Sequence, residues 1–209
     1  MHLQSKPGGG VQSRKFAIIF VLGAPGAGKG TLSTYLAQTH NPVHYTVDDG
    51  LRIWMRDNRS TELADKIRSK LNNQGFLPSE DLNPFIYREI LNAIHSDGPG
   101  INGILIDGYS RYIERLDSFG TWPFQDTAPL GPGSDGKVTL HIKPDLVLSF
   151  QVLKHNAKER YLKRARDNND SAHKFEKRFT EYEVETVPVE EKYRRHGVLI
   201  PIDVNGTKE

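Results

Sequence analysis

The chain has 209 residues, a formal net charge of +2, 36% hydrophobic residues and a mean hydropathy of −0.56. This fits one globular domain and gives whole-chain charge no role in holding nucleic acid. The absence of cysteine excludes disulfides and thiolate-bound metal centres, and no apolar run approaches the ~20 residues of a membrane span. A reducing compartment fits this composition. A cytoplasmic location is expected, with the nucleus as a second one.

Residues 1–14 carry Gly, Ser and Lys without an apolar stretch and read as a disordered leader rather than a secretory signal. Residues 15–209 then form the domain. Lys15 to Leu22 is β-branched and apolar and leads into a glycine, the pattern of a buried parallel strand. Helical spacing begins after Lys29 and runs to about Gln38, and Val43 to Thr46 is a short second strand. Gly50 to Arg56 and Ser60 to Asn73 read as helices. Ser79 reads as the N-cap of a helix reaching about His95, with Glu80 and Asp81 in its first turn. Gly103 to Asp107, Asp145 to Gln151 and Val198 to Ile202 are further short apolar strands. Ala157 to Arg166 and Ser171 to about Arg195 read as helices. Phe119 to Lys143 is rich in Gly, Pro and Asp and reads as a surface excursion or a partner-binding insert. Strands alternating with helices imply βαβ crossovers, so an α/β fold with a parallel sheet is expected.

The strongest signal is Gly23-Ala24-Pro25-Gly26-Ala27-Gly28-Lys29-Gly30-Thr31, which follows a strand and opens a helix. Glycines let successive backbone N–H groups turn toward phosphate oxygens, and the helix N-terminus adds partial positive charge. Lys29 brings a full charge to β- and γ-phosphates, and Thr31 can donate its hydroxyl to a phosphate. Gly30 stands where the general motif has a Ser or Thr that ligates Mg²⁺. Mg²⁺ is therefore expected to be held through water and the nucleotide, with Asp107 as the carboxylate that orients those waters.

The variant Gly-x-Pro-Gly-x-Gly-Lys-Gly-Thr resembles the nucleoside monophosphate kinases of the adenylate and UMP/CMP kinase type. Four later blocks agree in order: His44 to Arg52, Gly75 to Glu80, Ile106 to Arg111, and Arg166 to Asp170 followed by Lys177, Arg178, Phe179 and Tyr182. The resemblance runs from about Lys15 to Val204. It implies a P-loop NTPase fold with a doubly wound five-stranded parallel sheet, an acceptor-binding insert at about 45–80 and a short lid at about 165–171. It implies ATP with Mg²⁺ as cofactor, a nucleoside monophosphate as acceptor, and a monomer with no nucleic-acid or membrane partner. It assigns ATP to Gly26, Ala27, Gly28, Lys29, Gly30, Thr31 and Arg160. It assigns the acceptor to Thr46, Val47, Arg52, Gly108, Arg111 and Arg115. The catalytic set is Lys29, Arg111, Arg164, Arg166 and Arg178. The short lid and lack of cysteine leave no place for a lid zinc.

Transfer between phosphates needs little proton chemistry, because the acceptor phosphate has its second pKa near ~6 and is largely dianionic at neutral pH. It needs positioning and cancellation of spread charge, which suits arginine. His44, His95 and His173 read as structural or surface residues. Several positions depart from the family pattern. Arg115 stands where the family has an amide that reads a base edge. Val47 replaces a threonine of adenylate kinases and tilts the acceptor toward UMP or CMP. Asp48 replaces a glycine and would repel an acceptor phosphate unless paired, with Arg52 or Arg115 as candidate partners. Ser110 replaces a proline and is expected to loosen its turn. A P-loop kinase for another small metabolite and a nucleotide-binding module with little catalysis stay open as alternatives. A regulatory GTPase is disfavoured, since no Asn-Lys-x-Asp motif occurs.

Overall fold

The computed structural model describes residues 16–73, 77–96, 100–119, 144–164 and 171–206. The expected leader, the stretch from 120 to 143, Gly75, and Arg166 with most of the expected lid lie outside the described residues.

Five strands form the sheet: β1 (Ala17–Gly23), β2 (Val43–Thr46), β3 (Gly103–Asp107), β4 (Leu146–Gln151) and β5 (Leu199–Asp203). Their order is β2-β3-β1-β4-β5, and every neighbouring pair is parallel. This is the expected sheet. The helices are α1 (Lys29–His40), α2 (Val47–Asp57), α3 (Glu62–Asn73), α4 (Ser79–Ile94), α5 (Ile113–Phe119), α6 (Lys154–Arg164), α7 (Ala172–Glu181) and α8 (Val187–Arg195).

The run of β-branched and aromatic residues in β1 is explained by burial on both faces. Ile18, Phe20 and Leu22 point to one side, where they join Ile104, Ile106 and Val147 under Leu51 of α2, Ile86 of α4 and Val189 and Tyr193 of α8. Val21 points to the other, with Leu105, Leu148 and Phe150 packed beneath Leu32, Leu36 and Ala37 of α1. Each such side chain contributes about 1.5–3 kcal/mol when fully buried. A smaller cluster of Ala157, Tyr161, Phe175 and Phe179 packs α6 on α7 and reaches Ala24 in the loop after β1. That loop is thereby held from the side as well as from below.

Several boundaries differ from the expected ones. Helix α2 starts at Val47 rather than Gly50, directly at the end of β2, with Asp48 and Asp49 in the first turn where the helix dipole favours them. Ser79 is not a cap. Pro78 takes the cap position, and Ser79 is buried inside α4, accepting a hydrogen bond from the Ser118 hydroxyl at 3.0 Å. Helix α5 was not anticipated, because its seven residues are too few to show a period. The single helix expected from Ser171 to Arg195 is interrupted by a π-turn at Tyr182–Thr186. Pro188 accounts for it: a proline has no N–H for the carbonyl four residues back, and its ring crowds that carbonyl. The backbone widens instead, and the Val187 N–H reaches the Tyr182 carbonyl.

Candidate active site

The carboxyl ends of β1, β3 and β5 open onto a cleft of about 1930 Å³, the place where open α/β sheets hold ligands. The loop from Gly23 to Gly28 forms its floor. At Gly26, φ is +84°, and a Cβ there would stand 2.1 Å from the Ala157 carbonyl oxygen, so a side chain would push the loop off α6. Helix α1 then begins at Lys29 with its N-terminus facing the cleft. The Lys29 ammonium donates to the carbonyls of Gly23 at 2.7 Å and Ala24 at 3.0 Å. Loss of water, chiefly, with Arg111 and Arg178 adding to it, lowers its pKa from 10.5 to about 8, against the opposing pull of Asp107 and Asp48. Lys29 is thus the charge at which the loop, both arginines and both carboxylates meet.

Asp107 ends β3 and is 6% exposed. The residues that follow, from Gly108 to Tyr112, are each anchored. Gly108 has φ +91°, which favours glycine, and the Arg111 guanidinium packs against it, with Nη2 2.8 Å from where a Cβ would stand. The buried Tyr109 hydroxyl donates to Oδ1 of Asn83 at 2.6 Å. Ser110, expected to loosen the turn, does the reverse: its buried hydroxyl bonds the Tyr193 hydroxyl at 2.8 Å, a tie no proline could make. Thr186 in the π-turn donates to the Arg111 carbonyl at 3.2 Å. Tyr112 donates to Glu181 at 2.6 Å, and burial, then that carboxylate, push its pKa up to about 12.

Arg111 faces the cleft, with Nη2 lying 3.6 Å from Oδ2 of Asp48. Removal from water works against its charge, but Asp48 and Asp107 outweigh this and hold its pKa above the ordinary value. Among the described residues, Asp48 is ion-paired with Arg111 rather than with Arg52 or Arg115.

Most of the expected site residues come together. Gly26, Ala27, Gly28, Lys29, Gly30, Thr31, Thr46, Arg52, Asp107, Arg111, Arg160, Arg164 and Arg178 all line the cleft. Arg160 donates to the carbonyls of Val204, Asn205 and Gly206 at 2.6, 3.2 and 2.8 Å, so it also fastens the segment leaving β5. Arg164 lies over the Tyr161 ring, 5.3 Å from its centre. Three expected acceptor residues do not line the cleft. Val47 is 2% exposed in the core, Gly108 is buried behind Arg111, and Arg115 is 2% exposed. Arg115 donates to the carbonyls of Tyr109 at 2.9 Å and Leu77 at 3.0 Å. Burial, then the charge of Arg111, lower its pKa to about 10, and it stays charged at neutral pH. It is a structural brace beneath the Arg111 loop, so its replacement of an amide says nothing about base reading.

His44, expected to be structural or at the surface, lines the cleft, and its Nε2 lies 3.3 Å from the Thr46 hydroxyl. Burial lowers its pKa, against the pull of Asp107 and Asp49. Tyr112, Tyr182, Thr186 and Asn205 also line the cleft. Of these, only Tyr182 lay in a block the resemblance could have flagged; the others are positioned by tertiary contacts that no local pattern shows.

A family model described as an AAA domain matches residues 22–176. UMP-CMP kinase 1 of Oryza sativa subsp. japonica is 27% identical over 205 residues, which cover 98% of this chain and 73% of that protein. The adenylate kinase of a Nitratiruptor species is 28% identical over 92% of this chain and 89% of its own length. The adenylate kinase of Encephalitozoon cuniculi is 28% identical over 90% of each chain.

Proposed function

The chain belongs to the P-loop AAA-domain family and to the nucleoside monophosphate kinases, and from that premise we propose that it transfers the terminal phosphoryl group of ATP to a nucleoside monophosphate. The observation that carries this reading is the convergence of Lys29, Arg111 and Arg178 with Asp107 on one cleft, coupled closely enough to shift the Lys29 ammonium. Phosphoryl transfer is governed by positioning and by cancelling charge on equatorial oxygens, and three cations lining one cleft suit it.

In this reading the Gly23–Thr31 loop and Lys29 hold the triphosphate. Arg52 and Arg111 orient the acceptor phosphate. Arg164 and Arg178 close on the transferring group from the opposite wall, with Arg166 completing that set. The acceptor phosphate itself attacks, so no side chain removes a proton. Mg²⁺ accompanies ATP and offsets charge on the phosphates. Asp107 is the carboxylate placed to orient its waters, and one buried carboxylate beside nucleotide phosphates suits an ion that keeps much of its hydration shell. A monomer is expected to suffice.

The sequence favours UMP or CMP slightly over AMP, through Val47 where adenylate kinases have threonine, although the Val47 side chain packs in the core and does not line the cleft. A second reading, a kinase for another small metabolite, is favoured by one observation: the side chains of Val47 and Arg115 do not line the cleft. Incubation with Mg·ATP and each of AMP, UMP, CMP, GMP and dTMP, with ADP formation as the readout, separates them. The proposal expects strong turnover with at least one monophosphate and the best kcat/KM with a pyrimidine. Turnover with none of the five, beside turnover of a phosphate-free hydroxyl acceptor, would support the second reading.

A further inference from the structure

Asp48 is ion-paired with the arginine that the proposed reaction assigns to the acceptor phosphate. It projects from the first turn of α2 into the cleft, 3.6 Å from Nη2 of Arg111, with both side chains a little over one-third exposed. The Arg111 guanidinium packs against Gly108, and the Thr186 hydroxyl holds the Arg111 backbone carbonyl. Asp48 also acts on the Lys29 ammonium electrostatically.

We propose that Asp48 is a specificity-determining residue that competes with the acceptor's phosphate for Arg111, so that a phosphate group alone is too weak an anchor and the acceptor must add other contacts. A dianionic phosphate approaching Arg111 meets a carboxylate on the same guanidinium. It must either displace Asp48 or share the cation with it, and both cost affinity through like-charge repulsion at short range. An acceptor whose remaining contacts are strong enough to hold it there is accepted; free inorganic phosphate, which brings no nucleoside to add contacts, is held only weakly at Arg111. The cleft thereby keeps a strong cation cluster without becoming a general trap for phosphate. This inference rests on the acceptor-site reading above.

The test uses two independent measurements on Asp48→Asn and Asp48→Gly, each checked for an unchanged circular-dichroism spectrum. The first is calorimetric binding of inorganic phosphate to the wild-type and variant proteins, alone and in an Arg111→Met background. Removing the carboxylate is expected to tighten phosphate binding roughly tenfold, a gain that disappears when Arg111 is also replaced. The second is steady-state kinetics, in which KM for the monophosphate is expected to fall several-fold, with a smaller change in KM for ATP. Unchanged or weaker phosphate binding in both variants, or a gain that persists without Arg111, would overturn the proposal. If no monophosphate is turned over by the wild type, the kinase reading fails, while the phosphate titration still decides the competition between Asp48 and the anion.

Discussion

Lys29 holds its charge against its surroundings. Two carbonyls of its own loop accept from it, and Asp107 and Asp48 favour its ammonium, yet the loss of water and two nearby arginines bring its pKa to about 8. A triphosphate placed against it favours the charged form and raises that pKa again. Below about pH 8 the free protein already carries the proton and ATP binds a charged lysine; just above it, binding takes up a proton and affinity falls as pH rises. Titration calorimetry of ATP in buffers of different ionisation enthalpy should show proton uptake just above pH 8 and much less near neutrality. An enthalpy independent of buffer at the higher pH would contradict this account of Lys29. The place of this residue was legible in the sequence, because a lysine between a glycine loop and a helix start sits at the helix N-terminus, and here that end faces the cleft. Arg115 was not legible in the same way. Its position in a block suggested base reading, but a long cation can fold back onto carbonyls, and only the packing of the Leu77 and Tyr109 backbones decides that it does.

At the scale of elements, the loop from Gly108 to Tyr112 and the π-turn at Tyr182–Thr186 act together. Thr186 and Glu181 pin residues 111 and 112 across some 70 positions of sequence. A π-turn forgoes good α-helical geometry and recurs at functional sites, and here it is forced by Pro188 and used to place a hydroxyl. Thr186 positions Arg111 rather than touching substrate. Thr186→Val, which keeps the shape and removes the hydroxyl, should lower kcat by about tenfold with a smaller change in KM for ATP, since small displacements of catalytic groups are costly. Thr186→Ser should restore most of the rate. Equal kcat in the valine variant would show that the contact is only structural. Strands and the P-loop helix were readable from local pattern, since short apolar runs and glycine spacing are properties of short segments. Helix α5, the π-turn and the early start of α2 were not, because each depends on what a neighbouring element offers.

For the whole molecule, the order β2-β3-β1-β4-β5 collects the carboxyl ends of the strands at one edge and brings residues from 23 to 206 around a single cleft. The sheet supplies Asp107 and the phosphate loop on rigid supports, whereas the arginines arrive from α2, the β3–α5 loop, α6 and α7. That division suits a reaction that needs fixed phosphate contacts and cations converging from several walls. The fold and the place of the glycine loop and Lys29 on the cleft were therefore foreseeable, while the proposed acceptor side was blurred by Val47, Asp48 and Arg115, whose positions turn on tertiary packing.

The central claim is transfer between phosphates at this cleft, and ³¹P NMR tests it most directly. With Mg·ATP and a monophosphate at equal concentration, the wild-type protein should convert the ATP β and γ signals into the paired doublets of two nucleoside diphosphates. Lys29→Met should slow this by about 10²–10³-fold, the range for removing a charge-stabilising contact at a transferring phosphate. Release of inorganic phosphate without a second diphosphate, or equal rates in the two proteins, would contradict the account.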